Sequence, residues 1–221
     1  MTLLIDKIIT LCKWPIAVLA ILNIPSLFSE MVELMKIGLN PSVWPFWAGM
    51  MGYIILWRLF FSGRGWGSSL PTLIHECIHA LFAIITLHRV VDLKVRWNSG
   101  GHVSYVGGTG NWLITISPYF FPLALLLAML VSSLVHMSDL NRMLFLGVVF
   151  GFEIIYTWRE IHPKQTDLHK VGFIFAFAFL PGALLFSYGA VLSFAIGGFL
   201  QLHWFWYHFW HGNVEMILGW F

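Results

Sequence analysis

The sequence predicts an all-α polytopic membrane protein of about six transmembrane helices, interrupted by one small β-hairpin. Three observations carry that prediction. The 221 residues are 59% hydrophobic and only 10% charged, where soluble domains carry about 25% charged residues. The mean hydropathy is +0.81, and the apolar residues gather into stretches of about 20, the length that crosses a bilayer as a helix. Between two of those stretches the pattern changes to strict alternation of apolar and polar residues, the signature of strands.

The stretches follow in order. The first, roughly 14–29, is short and holds Pro15 and Pro25. The second runs near 43–62. The third, near 69–88, begins at Ser68, Ser69 and Pro71, and proline suits a first helical turn because its missing N–H has no helical partner there. Next, Leu93-Lys94-Val95-Arg96-Trp97 and His102-Val103-Ser104-Tyr105-Val106 alternate on either side of Asn98-Ser99-Gly100-Gly101, which is turn chemistry, so a hairpin is expected over 93–106. A fourth stretch runs about 112–136 and a fifth about 143–159, stopped by Pro163. The sixth starts near 171 and is nearly unbroken to 201, about 45 Å if straight. It must tilt, kink at Pro181-Gly182 or fold back. The tail from Leu202 to Phe221 is dense in Trp and His and reads as an interfacial segment.

No repeat or linker divides the chain, so one domain is expected over 1–221: N-terminal helices at 14–62, a core at 69–175, and a C-terminal helix and tail at 171–221. A net charge of +2 without a basic run excludes nucleic acid as a partner and leaves the lipid bilayer. Cys12 and Cys77 are too few for a disulfide framework. Met1 to Ile9 lack a basic flank and a small-residue cleavage site, so no removed signal peptide is expected. With six spans, Lys36, Arg89, Lys94, Arg96, Arg159, Lys164 and Lys170 face Lys7, Lys13, Arg58, Arg64 and Arg142 across the membrane. That bias places the hairpin on the cytoplasmic side of a cell (plasma or inner) membrane.

The chemistry centres on the third stretch. His75-Glu76-Cys77-Ile78-His79 spells H-E-x-x-H. Positions i and i+4 share a helix face, so His75 and His79 can offer two imidazole nitrogens to one metal, with Glu76 beside it as a proton acceptor. A catalytic zinc usually takes three protein ligands. The candidates for the third are Asp167, Glu153, and His162 or His169. Ionisable residues within a membrane are costly and tend to be functional; otherwise the motif is an incidental polar cluster. Asp167 would otherwise be a helix cap beside Lys164 and Lys170, and Glu153 a hydrogen-bonded carboxyl between helices. His102 and Asn111 can stabilise an oxyanion or simply face solvent. His203, His208 and His211 are a second metal set or interfacial rings, and Cys77 is a small packed residue.

The H-E-x-x-H helix, the hairpin followed by Gly107-Gly108, and Asp167 after Thr166 together resemble the site-2 protease-like intramembrane zinc metallopeptidases over roughly 69–175. Leu168 stands where many relatives have glycine, and Ser117-Pro118-Tyr119 where many have Asn-Pro or Gly-Pro. The resemblance implies a re-entrant hairpin and one Zn²⁺ held by His75, His79 and Asp167. It also implies Glu76 as general base and acid, and membrane proteins or peptides as substrates; the Lys and Arg count, with Asp167 on the hairpin side, puts the active site nearer the cytoplasmic side. Two other functions fit the same residues: a metal-cation transporter, or a proteolytically inactive relative that binds membrane helices.

Overall fold

The computed structural model describes residues 1–61, 69–96 and 100–218, without the side chains of residues 61, 96 and 214–218. Ser68, Trp97, Asn98 and Ser99, and with them the expected hairpin turn, lie outside the described residues. Three helices, α1 (Thr2–Leu11), α2 (Lys13–Leu22) and α3 (Ile24–Gly38), precede α4 (Trp44–Leu56), which runs into a π-helical turn at Trp57–Phe61. The motif helix α5 (Ser69–Ile85) leads to the antiparallel strands β1 (Arg89–Arg96) and β2 (Gly100–Val106). Then come α6 (Trp112–Ile116), α7 (Leu123–Leu134), α8 (Asp139–Glu160), α9 (Thr166–Val171) and α10 (Phe173–Leu218).

The chain is thus mostly helical with a two-stranded sheet, and six separate spans is a finer count than the helices support. Among the described residues two helices, α8 and α10, are long and apolar enough to cross a membrane. The number rises to four if α2–α3, bent by 47°, and Trp112–Tyr119 with α7, bent by 67°, each count as one. The first expected stretch is divided at Asn23 and the fourth after Ser117-Pro118-Tyr119, because a hydropathy window measures apolar length and is blind to a change of direction.

Glycine sets how closely the helices approach. Gly147 and Gly151 on α8 and Gly49 on α4 lie against the partner helix's backbone: a Cβ at Gly151 would meet the Met50 carbonyl oxygen at 2.7 Å, and one at Gly147 would run into the Phe46 carbonyl. The sixth stretch folds back, and not at Pro181, which keeps helical backbone angles. Gly197 and Gly198 leave helical geometry, Gly198 with φ +65°, a conformation glycine adopts at no steric cost. Phe186 then packs on Phe209, ring centroids 5.4 Å apart, although a straight helix would hold them about 34 Å apart. The expected interfacial tail is therefore the returning half of this helical hairpin, with His208 3.6 Å from Glu30 of α3.

The motif helix ends in a Schellman motif: His88 N–H donates to the Ala83 carbonyl at 2.8 Å and Leu87 N–H to Ile84 at 2.9 Å. Leu87 occupies the left-handed position with φ +62°, where glycine is usual. This turn throws the chain straight into β1. The strand begins four residues earlier than alternation indicates, since a bulge between Val90 and Asp92 puts two adjacent valines against one partner residue and breaks the period of two.

Candidate metal centre

Helix α5 buries one face, including His75, Glu76, Ile78 and Phe82. His75 and His79 therefore point the same way, their rings edge to face with centroids 4.7 Å apart. The third member arrives from α9. After Ile161, which ends α8, the chain turns through Pro163 and restarts at Gln165, an extended N-cap residue, with Asp167 in the first helical turn. Lys13 Nζ donates to the Val171 carbonyl at 2.7 Å, satisfying the C-terminal end of this short helix. Gly172, φ +89°, then redirects the chain into α10.

Three ligand atoms converge. His75 Nε2 and His79 Nε2 are 3.1 Å apart, and Asp167 Oδ2 is 3.5 Å from the first and 3.3 Å from the second. A tetrahedral ion with bonds of about 2.05 Å needs donors about 3.3 Å apart. The triangle fits a zinc-sized cation without rearrangement. Among the described residues no other trio of His, Cys, Asp and Glu groups in this way.

The surroundings fix which nitrogen is free. His79 Nδ1 donates to the Ile114 carbonyl at 2.7 Å, leaving the Nε2 lone pair directed at the triangle. His75 Nδ1 lies 3.3 Å from Glu160 Oε2 and 3.4 Å from the Tyr156 hydroxyl, and Gln165 Nε2 holds the same Glu160 oxygen at 2.9 Å. Carboxylate and carbonyl partners of this kind orient metal-binding imidazoles and raise their basicity. Asp167 Oδ1 accepts from Lys170 at 3.1 Å. Burial works against its charge, but the polar partners gathered round it, Lys170 among them, hold the carboxyl below the usual range. It is an anion, as a metal ligand must be.

Glu76 lines the same cavity of about 560 Å³, together with Gly100 to Val103 of β2. A Cβ at Gly101 would sit 2.7 Å from Glu76 Oε1, so the bare glycine backbone lies directly over the carboxylate. His102 stands within β2 opposite Lys94 and lines the cavity.

The other candidates lie elsewhere. Glu153 is 1% exposed and its Oε2 has no hydrogen-bond partner among the described residues; it sits two helical turns from Glu160, outside the trio. His162 Nδ1 accepts from the Lys164 N–H, and His169 donates to the Pro163 carbonyl. Asn111 caps α6. His211 donates to its own helix at Tyr207, and both cysteines are free. Sequence reasoning missed Glu160, Tyr156 and the Ile114 carbonyl. The one available signal was Tyr156-x-x-x-Glu160, two polar residues on a single face of an apolar helix.

A family model for Peptidase M50B-like proteins matches residues 48–202, from α4 into the returning half of α10. No curated protein and no solved structure matches the chain.

Proposed function

The chain belongs to the Peptidase M50B-like family, and from that premise we propose that it is an intramembrane zinc metallopeptidase cleaving membrane-associated or transmembrane polypeptides. The observation that carries the proposal is the donor triangle of His75, His79 and Asp167, with edges of 3.1 to 3.5 Å, beside a carboxylate with no part in it. When bound, zinc would supply Lewis acidity, polarising the scissile carbonyl and lowering the pKa of water toward about 7.

The protein's own groups do the rest. Glu76 accepts a proton from water as the water oxygen forms its bond to the carbonyl carbon. It returns that proton to the amine nitrogen as the C–N bond breaks. Gly101 limits where the Glu76 carboxylate can go, which keeps it aimed into the cavity. Strand β2 lines one wall, so a substrate helix that has unwound can lie along it as a further strand. The chain works in a lipid bilayer; in this reading the membrane is a plasma or inner membrane and the site lies nearer the cytoplasm, which the excess of Lys and Arg on the hairpin side supports when six spans are counted.

The test is zinc content together with cleavage of a model transmembrane substrate by the purified protein and its Glu76→Gln variant. Equal zinc in both, with cleavage in the wild type alone, is expected. Zinc uptake into vesicles without cleavage favours the transporter, and zinc-bound wild type that cuts nothing favours the inactive helix-binding relative.

A further inference from the structure

The N-terminal helix lies before the family match at 48–202 and contributes no residue to the proposed chemistry, yet it carries a carboxylate that is 2% exposed. We infer that Asp6 is a positioning residue for the metal centre, acting through Asn111 and the first turn of α6 on the imidazole of His79. The inference rests on the reading of His79 as a metal ligand.

Asp6 is fully engaged. Its Oδ2 accepts from His88 Nε2 at 3.2 Å and from the Thr109 backbone N–H at 3.0 Å; its Oδ1 accepts from Asn111 Nδ2 at 2.8 Å. His88 Nδ1 is held in turn by the Thr86 hydroxyl at 3.0 Å. Gly108 leaves room for the cluster, since a Cβ there would lie 2.7 Å from His88 Nε2 and run into the Asp6 carboxylate. One buried anion therefore gathers the end of the motif helix, the loop after the hairpin and the start of α6.

The orientation of Asn111 follows from its partners. A carboxylate only accepts, so the amide nitrogen faces Asp6; the Ile114 N–H only donates, so the amide oxygen faces it, at 3.2 Å. Asn111 is thereby the N-cap of α6. That helix has five residues, too few to hold its shape unaided, and α1 secures it twice: through Asp6, and through the Ile9 carbonyl, which accepts from Trp112 Nε1 at 2.5 Å. Two residues on, the Ile114 carbonyl accepts from His79 Nδ1 at 2.7 Å. The path from α1 to the metal-facing nitrogen is thus Asp6, the Asn111 amide, the Ile114 peptide and the His79 ring. Loosening its first link frees the last to rotate. The plainer role for such a cluster is to hold the fold, and the two roles differ in what they do to zinc.

The experiment measures zinc affinity by competition with a chromophoric chelator, and the visible spectrum of the cobalt-substituted protein, for four forms: wild type, Asp6→Asn, Asn111→Ser, and the exchange Asp6→Asn with Asn111→Asp. Asp6→Asn sets two amide nitrogens against each other and is expected to weaken zinc about tenfold. Asn111→Ser keeps a capping oxygen but cannot reach Asp6, and is expected to weaken zinc threefold or more. The exchange rebuilds every donor–acceptor pair and is expected to restore affinity and spectrum to within about threefold of wild type. Zinc affinity and cobalt spectrum unchanged in Asn111→Ser, or an exchange that restores neither, overturns the inference. If Asp6→Asn does not fold, Asn111→Ser decides alone. Absence of zinc from the wild type would instead refute the metal reading itself.

Discussion

Adding one methyl group at Gly101 isolates the proposed base from the proposed metal. The Cβ of Gly101→Ala would lie 2.7 Å from Glu76 Oε1 and 2.9 Å from its Cδ, where ordinary contact starts at 3.4 Å. That methyl would also run into Glu76 Cγ, the nearest atom, so the side chain must retreat as a whole by about 1 Å, toward the open cavity that its carboxylate borders. The backbone raises no objection, since Gly101 is not in the left-handed region, and His75, His79 and Asp167 are untouched. Misplacing a catalytic group by about 1 Å costs up to 10²-fold, so kcat should fall tenfold to a hundredfold, or about 1.4–2.7 kcal/mol of transition-state stabilisation. Zinc content and thermal stability should not change. The assay is steady-state cleavage of a transmembrane substrate in detergent, with metal analysis of the same sample. Activity within twofold of wild type, while Glu76→Gln is inactive, would refute the argument that the hairpin positions Glu76; loss of zinc would show that the substitution acts on the ligands instead.

Three further outcomes follow from the geometry. Glu160→Ala removes the carboxylate 3.3 Å from His75 Nδ1 and should weaken zinc tenfold or more in chelator competition, with Glu160→Gln in between; wild-type affinity in both would dissociate Glu160 from the centre. Gly147→Ala drives a methyl into the Phe46 backbone and should destabilise α4 against α8 by about 1–3 kcal/mol, read as thermal unfolding in micelles. Gly52→Ala, in α4 itself but with nothing within 4 Å of its Cβ, should instead be neutral or stabilise by up to about 1 kcal/mol; equal losses in both would mean that close helix approach is not the cause.

How much of this was legible beforehand depended on how local each feature is. H-E-x-x-H could be read directly because helix periodicity alone puts His75 and His79 on one face. Asp167 needed topology and family resemblance to stand out from Glu153, since ninety residues of chain separate it from the motif and no spacing rule connects them. Glu160 had only the spacing Tyr156-x-x-x-Glu160 to mark it, and the Ile114 carbonyl was invisible, because a backbone carbonyl has no side-chain signature. Asp6 carried no signal in the sequence, although packing buries it among three other chain segments. In α10 the proline drew attention as the expected break, but Pro181 keeps helical backbone angles. The reversal falls at Gly197-Gly198, the pair able to take up non-helical angles. The bulge at Val90–Asp92 hid the start of β1 for a similar reason: alternation reveals a strand only while its register is regular.

The most direct measurement is zinc per polypeptide, by elemental mass spectrometry, in wild type, Asp167→Ala and Glu153→Ala after equal dialysis. The account predicts one zinc in the wild type, one in Glu153→Ala and little or none in Asp167→Ala. A full zinc complement in Asp167→Ala alongside a metal-free Glu153→Ala would contradict it.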